Sequence, residues 1–268
     1  MKKTSPEVRL VWRTPNPKRV IATAARMTYS VQDVETLMDA MTDEQIDRSV
    51  NAILERRHYS CLRHVSFCFT IAGVSRAFSH QLVRHNIGHS FEQRSQHYRV
   101  EKDPAFITPK TIEGGGRIQD TYEAALNGAQ ASYEALIEYG VPKEDARFVL
   151  PNATETQLIW TANLEAFMNF IKTRACRMNT SEITQVAIQV RHLILNSIPE
   201  MAPYLGPTCW TQGICFEGEK FYRECNQPWQ SPTVLWTPMF PKVIELVKIG
   251  GTAGFLQGNI IGGPHENH

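Results

Sequence analysis

The sequence predicts an α+β fold: a single domain in which long helices pack on a modest antiparallel or mixed sheet. Three observations predict it. Apolar side chains recur at the helical period in several long segments, and shorter segments alternate or mix apolar and polar residues as strands do. The chain of 268 residues, 42% of them hydrophobic, can bury a large core. It shows no internal repeat and no clear interdomain linker.

The first half of the chain predicts two strands and three helices. Residues 8–12 form a strand, and the Ala- and Arg-rich residues 18–27 form a helix. Thr42 and Gln45 make a capping box, which starts a helix that runs to about residue 57. Residues 65–74 alternate as a strand, and residues 75–84 form a helix.

The second half predicts further helices. Gly114–Gly116 is a loop break, and a helix follows over 121–139, ended by Gly140 and Pro142. A mixed segment, 152–162, leads as a strand into the strongest helix, 163–174, which Asn163 caps. Further helices are predicted over 181–196 and 238–249, and the Gly-rich tail from residue 250 is expected to be mobile.

Composition excludes several classes of protein. The net charge of +1 argues against a general nucleic-acid binder. No apolar run is long enough for a membrane span, and no apolar stretch follows the first residues, so we expect a cytoplasmic protein without nucleic-acid or membrane partners. Reduced thiols are the expected state of the six cysteines. Cys209, Cys215 and Cys225 lie close together, but their gaps differ from those of zinc sites, and we predict no metal.

Residues 84–98 form the most informative segment. Arginine, histidine, serine, amide and acidic side chains crowd into it with little apolar material, which predicts an exposed polar loop rather than part of the core. Such a donor array suits phosphate oxygens and the edges of a heterocycle. Neither GxGxxG nor GxxxxGK[ST] occurs, so a dinucleotide fingerprint and a P-loop are not supported, and there is no GxSxG or HExxH motif.

Other candidate residues have both structural and functional interpretations. Arg84 and His85 could complement a helix dipole. His64 could be structural, and Arg147 could form a surface ion pair. Asn163 and Arg174 fall on nearly the same face of the strongest helix. Asn169 lies beside the apolar stripe of that helix, where asparagine is mildly unfavourable, so either a backbone hydrogen bond or a functional role would account for it.

Several ordered motifs resemble the flavin-dependent thymidylate synthase family. Arg84-His85-Asn86, followed after eight residues by Ser95, resembles its Arg-His-Arg signature. Further similar elements span about residues 18–215. They are Ala24–Ser30, His64–Phe67, Ser79–Arg84, Ala146–Pro151 and Trp160–Arg174.

The resemblance implies a homotetramer with active sites shared between subunits, and it implies conversion of dUMP to dTMP with FAD, methylenetetrahydrofolate and NADPH. Arg174 is the implied catalytic residue, because a fixed guanidinium suits charge stabilisation at the uracil edge. Ser95 is assigned to binding rather than attack, and Cys176 to packing. The expected cofactor-binding residues are Ser30, His64, Ser66, Arg84, His85, Asn86, Ile87, Glu92, Asn163, Glu165 and Asn169. The expected substrate-binding residues are Gln81, Arg84, Gln93, Arg94, Ser95, Gln96, His97, Arg147 and Arg174. The implied domain covers residues 1–230, with a C-terminal extension over 231–268.

The signature also departs from the family pattern. Asn86 and His97 stand where arginine is usual, Thr28 stands where cysteine is frequent, and either Glu92 or Gln93 could fill the acidic position. Arg94 or Arg99 could restore the lost charge, or the ligand could differ. Two alternatives therefore stay open: a diverged flavin-binding paralogue that modifies another pyrimidine nucleotide, and a non-catalytic nucleotide- or RNA-binding protein on the same scaffold.

Overall fold

The computed structural model describes residues 5–101, 104–217 and 223–225, and the backbone of 235–236. The chain divides into two compact units, Met1–Pro207 and Thr208–His268. In the second unit, the described residues form a short helix, α9 (Thr208–Gln212), and strand β5 (Ile214–Cys215), which pairs in parallel with β6 (Leu235–Trp236). The first unit contains the four-stranded sheet and helices α1 to α8.

A four-stranded antiparallel sheet forms the centre of the first unit. Its strands stand in the order β1-β2-β4-β3. Their bounds are β1 Glu7–Arg13, β2 Ser66–Ser75, β3 His89–Gln93 and β4 Glu155–Asn163. The buried residues Phe67 and Phe69 of β2 and Leu158 and Trp160 of β4 lie on one face, where Phe69 pairs with Trp160. That face carries the core, because side chains alternate between the two faces of a strand.

Helices cover this apolar face and continue the core. Phe167 of α7 meets Phe69 edge-on, with ring centroids 5.1 Å apart, and its ring lies tilted against Trp160 at 4.7 Å. Helices α7 and α8 also pack against each other, as do α1 and α3. The helix bounds are α1 Pro17–Arg26, α2 Val34–Ala40, α3 Asp43–Glu55, α4 Arg76–Leu82, α5 Gly116–Glu138, α6 Lys143–Ala146, α7 Leu164–Arg174 and α8 Ser181–Leu195.

Local sequence signals explain where two of these helices begin. The capping box of Thr42 and Gln45 is present at the start of α3. Asn163 caps α7: its Oδ1 accepts a hydrogen bond from the amide of Ala166 at 2.9 Å. An amide side chain at the cap satisfies a backbone donor that the helix itself leaves open. Both predicted caps are therefore confirmed.

The mixed α/β class, the small antiparallel sheet and many of the predicted elements are confirmed, with three differences. Part of the segment predicted as a polar loop, 84–98, is strand β3, because His89 and Phe91 stack on Trp160 while the alternate residues Ser90 and Glu92 are exposed. Helix α5 begins at Gly116, inside the predicted break. Helix α2, capped by Asp33, was not predicted.

Other predictions fall outside the described residues. These are the helix over 238–249, the tail from residue 250 and the domain boundary at residue 230. Within the described ranges, no helix is long and apolar enough to cross a membrane. In the same part of the chain, no three His, Cys, Asp or Glu side chains converge in a way that could hold a metal ion.

Candidate active site

Many of the predicted site residues meet at one end of the sheet, where β2 begins, β4 ends and α7 starts. Ser66 pairs with Asn163 across the two strands, and the amide of Leu164 donates to the carbonyl of Val65 at 2.8 Å. The amide of Asn163 donates to the carbonyl of Gly88 at 3.3 Å, which ties the turn before β3 to the same point. We call this region the α7 edge, comprising residues 64–66, 84–88, 163–165 and 169.

Gly88 allows the turn to approach the helix start so closely. Its φ of +78° is in the left-handed region that favours glycine. A Cβ added there would stand 2.7 Å from Nδ2 of Asn163 and 3.2 Å from Cβ of Ala166. The signature turn and the cap of α7 are therefore a single packed unit.

The α7 edge offers both exposed and half-buried polar groups. Arg84, Asn86 and Ile87 are exposed in the turn between α4 and β3, His64 is exposed before β2, and Asn169 is exposed on α7. His85, Ser66, Asn163 and Glu165 are partly buried. Ser30 lies in the loop after α1 and accepts a local hydrogen bond from the amide of Gln32 at 3.1 Å. Helix α1 packs against the 3-10 turn Tyr59–His64, next to this edge.

An ion pair compensates the acidic group at the α7 edge. Arg63 donates to both carboxylate oxygens of Glu165, and this contact raises the pKa of the Arg63 guanidinium. The Glu165 carboxylate lies in the first turn of α7, where the helix dipole favours a negative charge. With Arg63 beside it, Glu165 adds little net negative charge to the α7 edge.

The guanidinium of Arg174 is held at two nitrogens at the other end of α7. Its Nε donates to Nε2 of His85 at 2.9 Å, and its Nη1 donates to Oδ1 of Asn179 at 3.0 Å. Asn179 is itself anchored, because its Nδ2 donates to the carbonyls of Thr173 and Cys176 at 2.9 and 3.0 Å. Partial burial lowers the pKa of Arg174. Arg174 therefore has a defined orientation.

Two neutral histidines stand between Arg174 and the core. Burial and the charge of Arg174 lower the pKa of His85, and burial with the neighbouring His85 lowers the pKa of His89 to about 4. Nδ1 of His89 accepts from Nε1 of Trp160 at 2.9 Å. Rings of His85 and Phe170 meet edge-on at 5.2 Å between centroids. The histidines of the signature are thus acceptors packed among aromatic rings rather than cations.

A basic pocket forms beyond the far end of β3. Its cavity of about 470 Å³ is lined on one side by Arg76, His80, Gln96 and Arg147. Nη2 of Arg76 donates to the carbonyl of Arg94 at 2.7 Å, while its buried Nε has no partner within the described residues. Burial, together with the charges of Arg147 and Arg94, lowers the pKa of Arg76, although Glu101 opposes this shift. An anion is the ligand that such a pocket suits.

The remaining signature residues divide between the two faces of β3. Nε2 of Gln93 donates to Oγ1 of Thr156 at 3.1 Å on the covered face, whereas Glu92 is exposed on the other. Arg94 pairs with Glu155 at 3.2 Å, so its charge is already compensated. The hydroxyl of Ser95 accepts from the amide of His97 at 3.1 Å. Arg94 as a replacement for the lost charge stays a prediction, and the ion pair with Glu155 weighs against it.

Gln81 lines a second cavity of about 860 Å³ between α4, α5 and α8. Its Oε1 accepts from the hydroxyl of Thr180 at 3.3 Å. Glu182 lines the same cavity and accepts from the amide and hydroxyl of Ser75 at 2.6 and 2.7 Å, while burial raises the pKa of its carboxyl. This cavity adds hydrogen-bonding groups next to apolar walls.

Within one copy of the chain, the α7 edge and the basic pocket stand at opposite ends of β3. A five-residue strand spans about 14 Å between its first and last residues, so the two groups do not form one small pocket. The sequence did not indicate Arg63, Arg76 or Asn179, because their roles depend on tertiary contacts that no sequence motif predicts. Arg63 directly precedes the His64–Phe67 motif, and this position is the signal that could have indicated it.

Comparison with known proteins identifies relatives in both sequence and fold. A family model described as thymidylate synthase complementing protein matches residues 9–200. The flavin-dependent thymidylate synthase of Geobacter sulfurreducens is 36% identical over 214 residues, which cover 79% of this chain and 91% of that protein. The enzymes of the same name from Clostridium tetani and Thermococcus kodakarensis are 34% and 31% identical, over 79% and 87% of this chain and 91% and 97% of theirs.

A solved structure shares the fold. The UMP/dUMP methylase PolB from Streptomyces cacaoi, bound with 5-Br dUMP, superposes with a TM-score of 0.63 at 23% identity, over 75% of this chain and 96% of that one. The family match covers most of the chain, and the relatives exceed 30% identity over more than two thirds of it. The chain therefore belongs to the flavin-dependent thymidylate synthase family.

Proposed function

We propose that the protein catalyses reductive methylation of dUMP to dTMP, with FAD as cofactor, methylenetetrahydrofolate as carbon donor and NADPH as reductant. One observation carries the proposal: the guanidinium of Arg174 is held at Nε and Nη1 by His85 and Asn179. Within the described residues nothing accepts from its Nη2. Those N–H groups are available to a ligand.

The donors of the α7 edge fit the cofactor. FAD supplies hydride transfer when it is bound. Arg84 and His64 provide exposed nitrogen donors, and Asn169 and Ser66 provide groups that both donate and accept. Arg63 neutralises Glu165, so that its carboxylate can accept from a sugar hydroxyl without repelling phosphate strongly.

Arg174 and the basic pocket have separate roles toward the nucleotide. Arg174 binds the uracil edge and stabilises the negative charge that develops as the ring becomes electron-rich. Arg147 and Gln96 hold the 5′-phosphate, which carries two negative charges near neutral pH and suits a pocket with two arginines. These side chains orient the nucleotide and stabilise its charge, and none of them acts as a nucleophile.

The separation of the two groups supports a shared active site in a homotetramer. If each site takes its α7 edge from one subunit and its basic pocket from another, two inactive variants complement each other. Mixed Arg84→Ala and Arg147→Ala subunits then regain activity that neither shows alone. Light scattering after size-exclusion chromatography gives the subunit number. A cytoplasmic location stays a prediction from the sequence.

The direct test is the absorbance spectrum of the purified protein, followed by dTMP formation from dUMP with each reactant omitted in turn. We expect a bound flavin, a spectral change on adding dUMP, and turnover that requires both the folate and the reductant. Arg174→Ala should retain the flavin and lose turnover. A protein that binds no flavin would falsify the proposal.

Asn86 and His97 stand where the family usually has arginine, so nucleotides other than dUMP should also be tested as substrates. Asn86 is exposed at the α7 edge and carries no charge where the family usually has arginine. The fold neighbour is named for UMP as well as dUMP. Titration with dUMP, UMP and dCMP therefore separates dUMP methylation from modification of another pyrimidine nucleotide.

A further inference from the structure

We propose that His85 is a positioning residue for Arg174: its neutral imidazole holds the guanidinium of Arg174 in the orientation that reaches the nucleotide. This role is additional to the cofactor binding implied for His85 by the signature, and it rests on the proposed function. It follows from a hydrogen bond between residues 89 positions apart in the chain.

The hydrogen bond defines the protonation state of His85. An arginine nitrogen can only donate, so Nε2 of His85, 2.9 Å from Nε of Arg174, must present a lone pair. A protonated imidazole has no lone pair at either nitrogen and would stand charge against charge with the guanidinium. The contact therefore exists only while His85 is neutral with its proton on Nδ1.

The surroundings of His85 favour this state and hold the ring in place. Its ring meets Phe170, which lies on the same helix as Arg174, edge-on at 5.2 Å. The titratable and charged groups that face it are Arg174 from α7 and His89 from β3, whose ring centroid lies 6.0 Å away. Neither supplies a negative charge that would stabilise an imidazolium, and partial burial disfavours one further.

The orientation of Arg174 depends on this contact. Asn179, which follows α7 in the chain, accepts from Nη1, and His85, in the turn between α4 and β3, accepts from Nε. With both in place, the guanidinium plane is defined and Nη2 points to neither holder. Loss of the His85 acceptor leaves one holder, about which the guanidinium can rotate.

Matched substitutions separate positioning from packing. The amide oxygen of glutamine reaches roughly the position of Nε2, accepts a hydrogen bond and does not titrate, whereas that of asparagine reaches only the position of Nδ1. We expect His85→Gln to keep most of the turnover and His85→Asn to lose about tenfold in kcat, the size expected for one hydrogen bond to a charged group. His58→Gln, at an exposed histidine away from the site, is the control.

The pH profile gives a readout that packing alone does not move. In the unaltered protein, kcat should fall on the acid side as His85 gains a proton, and His85→Gln should lack that fall. The double variant His85→Asn/Arg174→Ala should be no slower than Arg174→Ala alone. Additive losses, or an acid fall that persists in His85→Gln, would overturn the proposal. Additive losses are also the expected result if His85 acts only by binding the cofactor.

A measurement without nucleotide or turnover distinguishes this inference from the proposed function. Deuterium exchange at Cε1 of each histidine, followed by mass spectrometry over a pH series, gives the pKa of His85 in the full chain. Replacing Arg174 by glutamine should raise that pKa, because the charge of Arg174 is one of the causes that lower it. An unchanged His85 pKa refutes the contact, whereas an unaltered protein that makes no dTMP refutes the proposed function.

Discussion

Replacing Gly88 by alanine tests how the signature turn and the start of α7 are held together. The substitution has two separable costs. A non-glycine residue at a φ of +78° costs about 1 kcal/mol in backbone strain. A Cβ placed 2.7 Å from Nδ2 of Asn163 also displaces the side chain that caps α7, and losing such a cap costs about 1 kcal/mol. We therefore expect a loss of about 2 kcal/mol in the free energy of unfolding.

Two other glycines provide matched controls. Gly140 has a φ of +83° but open space around it, so Gly140→Ala should cost only the backbone strain, about 1 kcal/mol. Gly128 lies inside α5 with nothing near an added Cβ, so Gly128→Ala should stabilise the protein by about 0.5–1 kcal/mol. Comparing the free energies of unfolding of the three variants separates backbone strain from displacement of the Asn163 cap.

Urea unfolding followed by circular dichroism gives the three free energies. All variants are measured at one subunit concentration, because assembly would shift the apparent stability. Gly88→Ala should also bind flavin more weakly, since the α7 edge moves with the turn. Equal losses for Gly88→Ala and Gly140→Ala would refute the close approach between the turn and the cap.

Three further predictions concern single contacts. Asn179→Ala removes one holder of Arg174, so turnover should fall about tenfold in steady-state assays while the flavin content stays constant. His89 has a folded-state pKa of about 4, below the ordinary value near 6.5. Its contribution to the free energy of unfolding is therefore fully present above about pH 6.5 and is lost as the pH falls toward 4. Screening by solvent reduces this loss to about 1–2 kcal/mol, and His89→Phe should remove it from urea unfolding measured across that range. Arg94→Ala leaves the partly buried carboxylate of Glu155 unpaired and should cost about 2 kcal/mol in urea unfolding, yet it should leave the KM for dUMP within about twofold. A large rise in that KM would instead make Arg94 a substrate ligand.

Local patterns in the sequence were sufficient for the longer helices α1, α3, α5, α7 and α8. The capping box at Thr42 and the cap at Asn163 act through neighbours three residues away, so they can be read from a short window. The apolar stripe of α7 likewise follows from its period. The ordered motifs from His64 to Arg174 identified the family before any contact was known.

Tertiary structure decided what those residues touch. Strand β3 was missed because its stability comes from stacking of His89 and Phe91 on Trp160, which lies about 70 positions later in the chain. The same long-range packing makes His85 a neutral acceptor for Arg174 and compensates Arg94 with Glu155. The sequence alone identified the family and the candidate polar side chains. The protonation and orientation of those side chains follow from burial and from partners that only folding brings within hydrogen-bond distance.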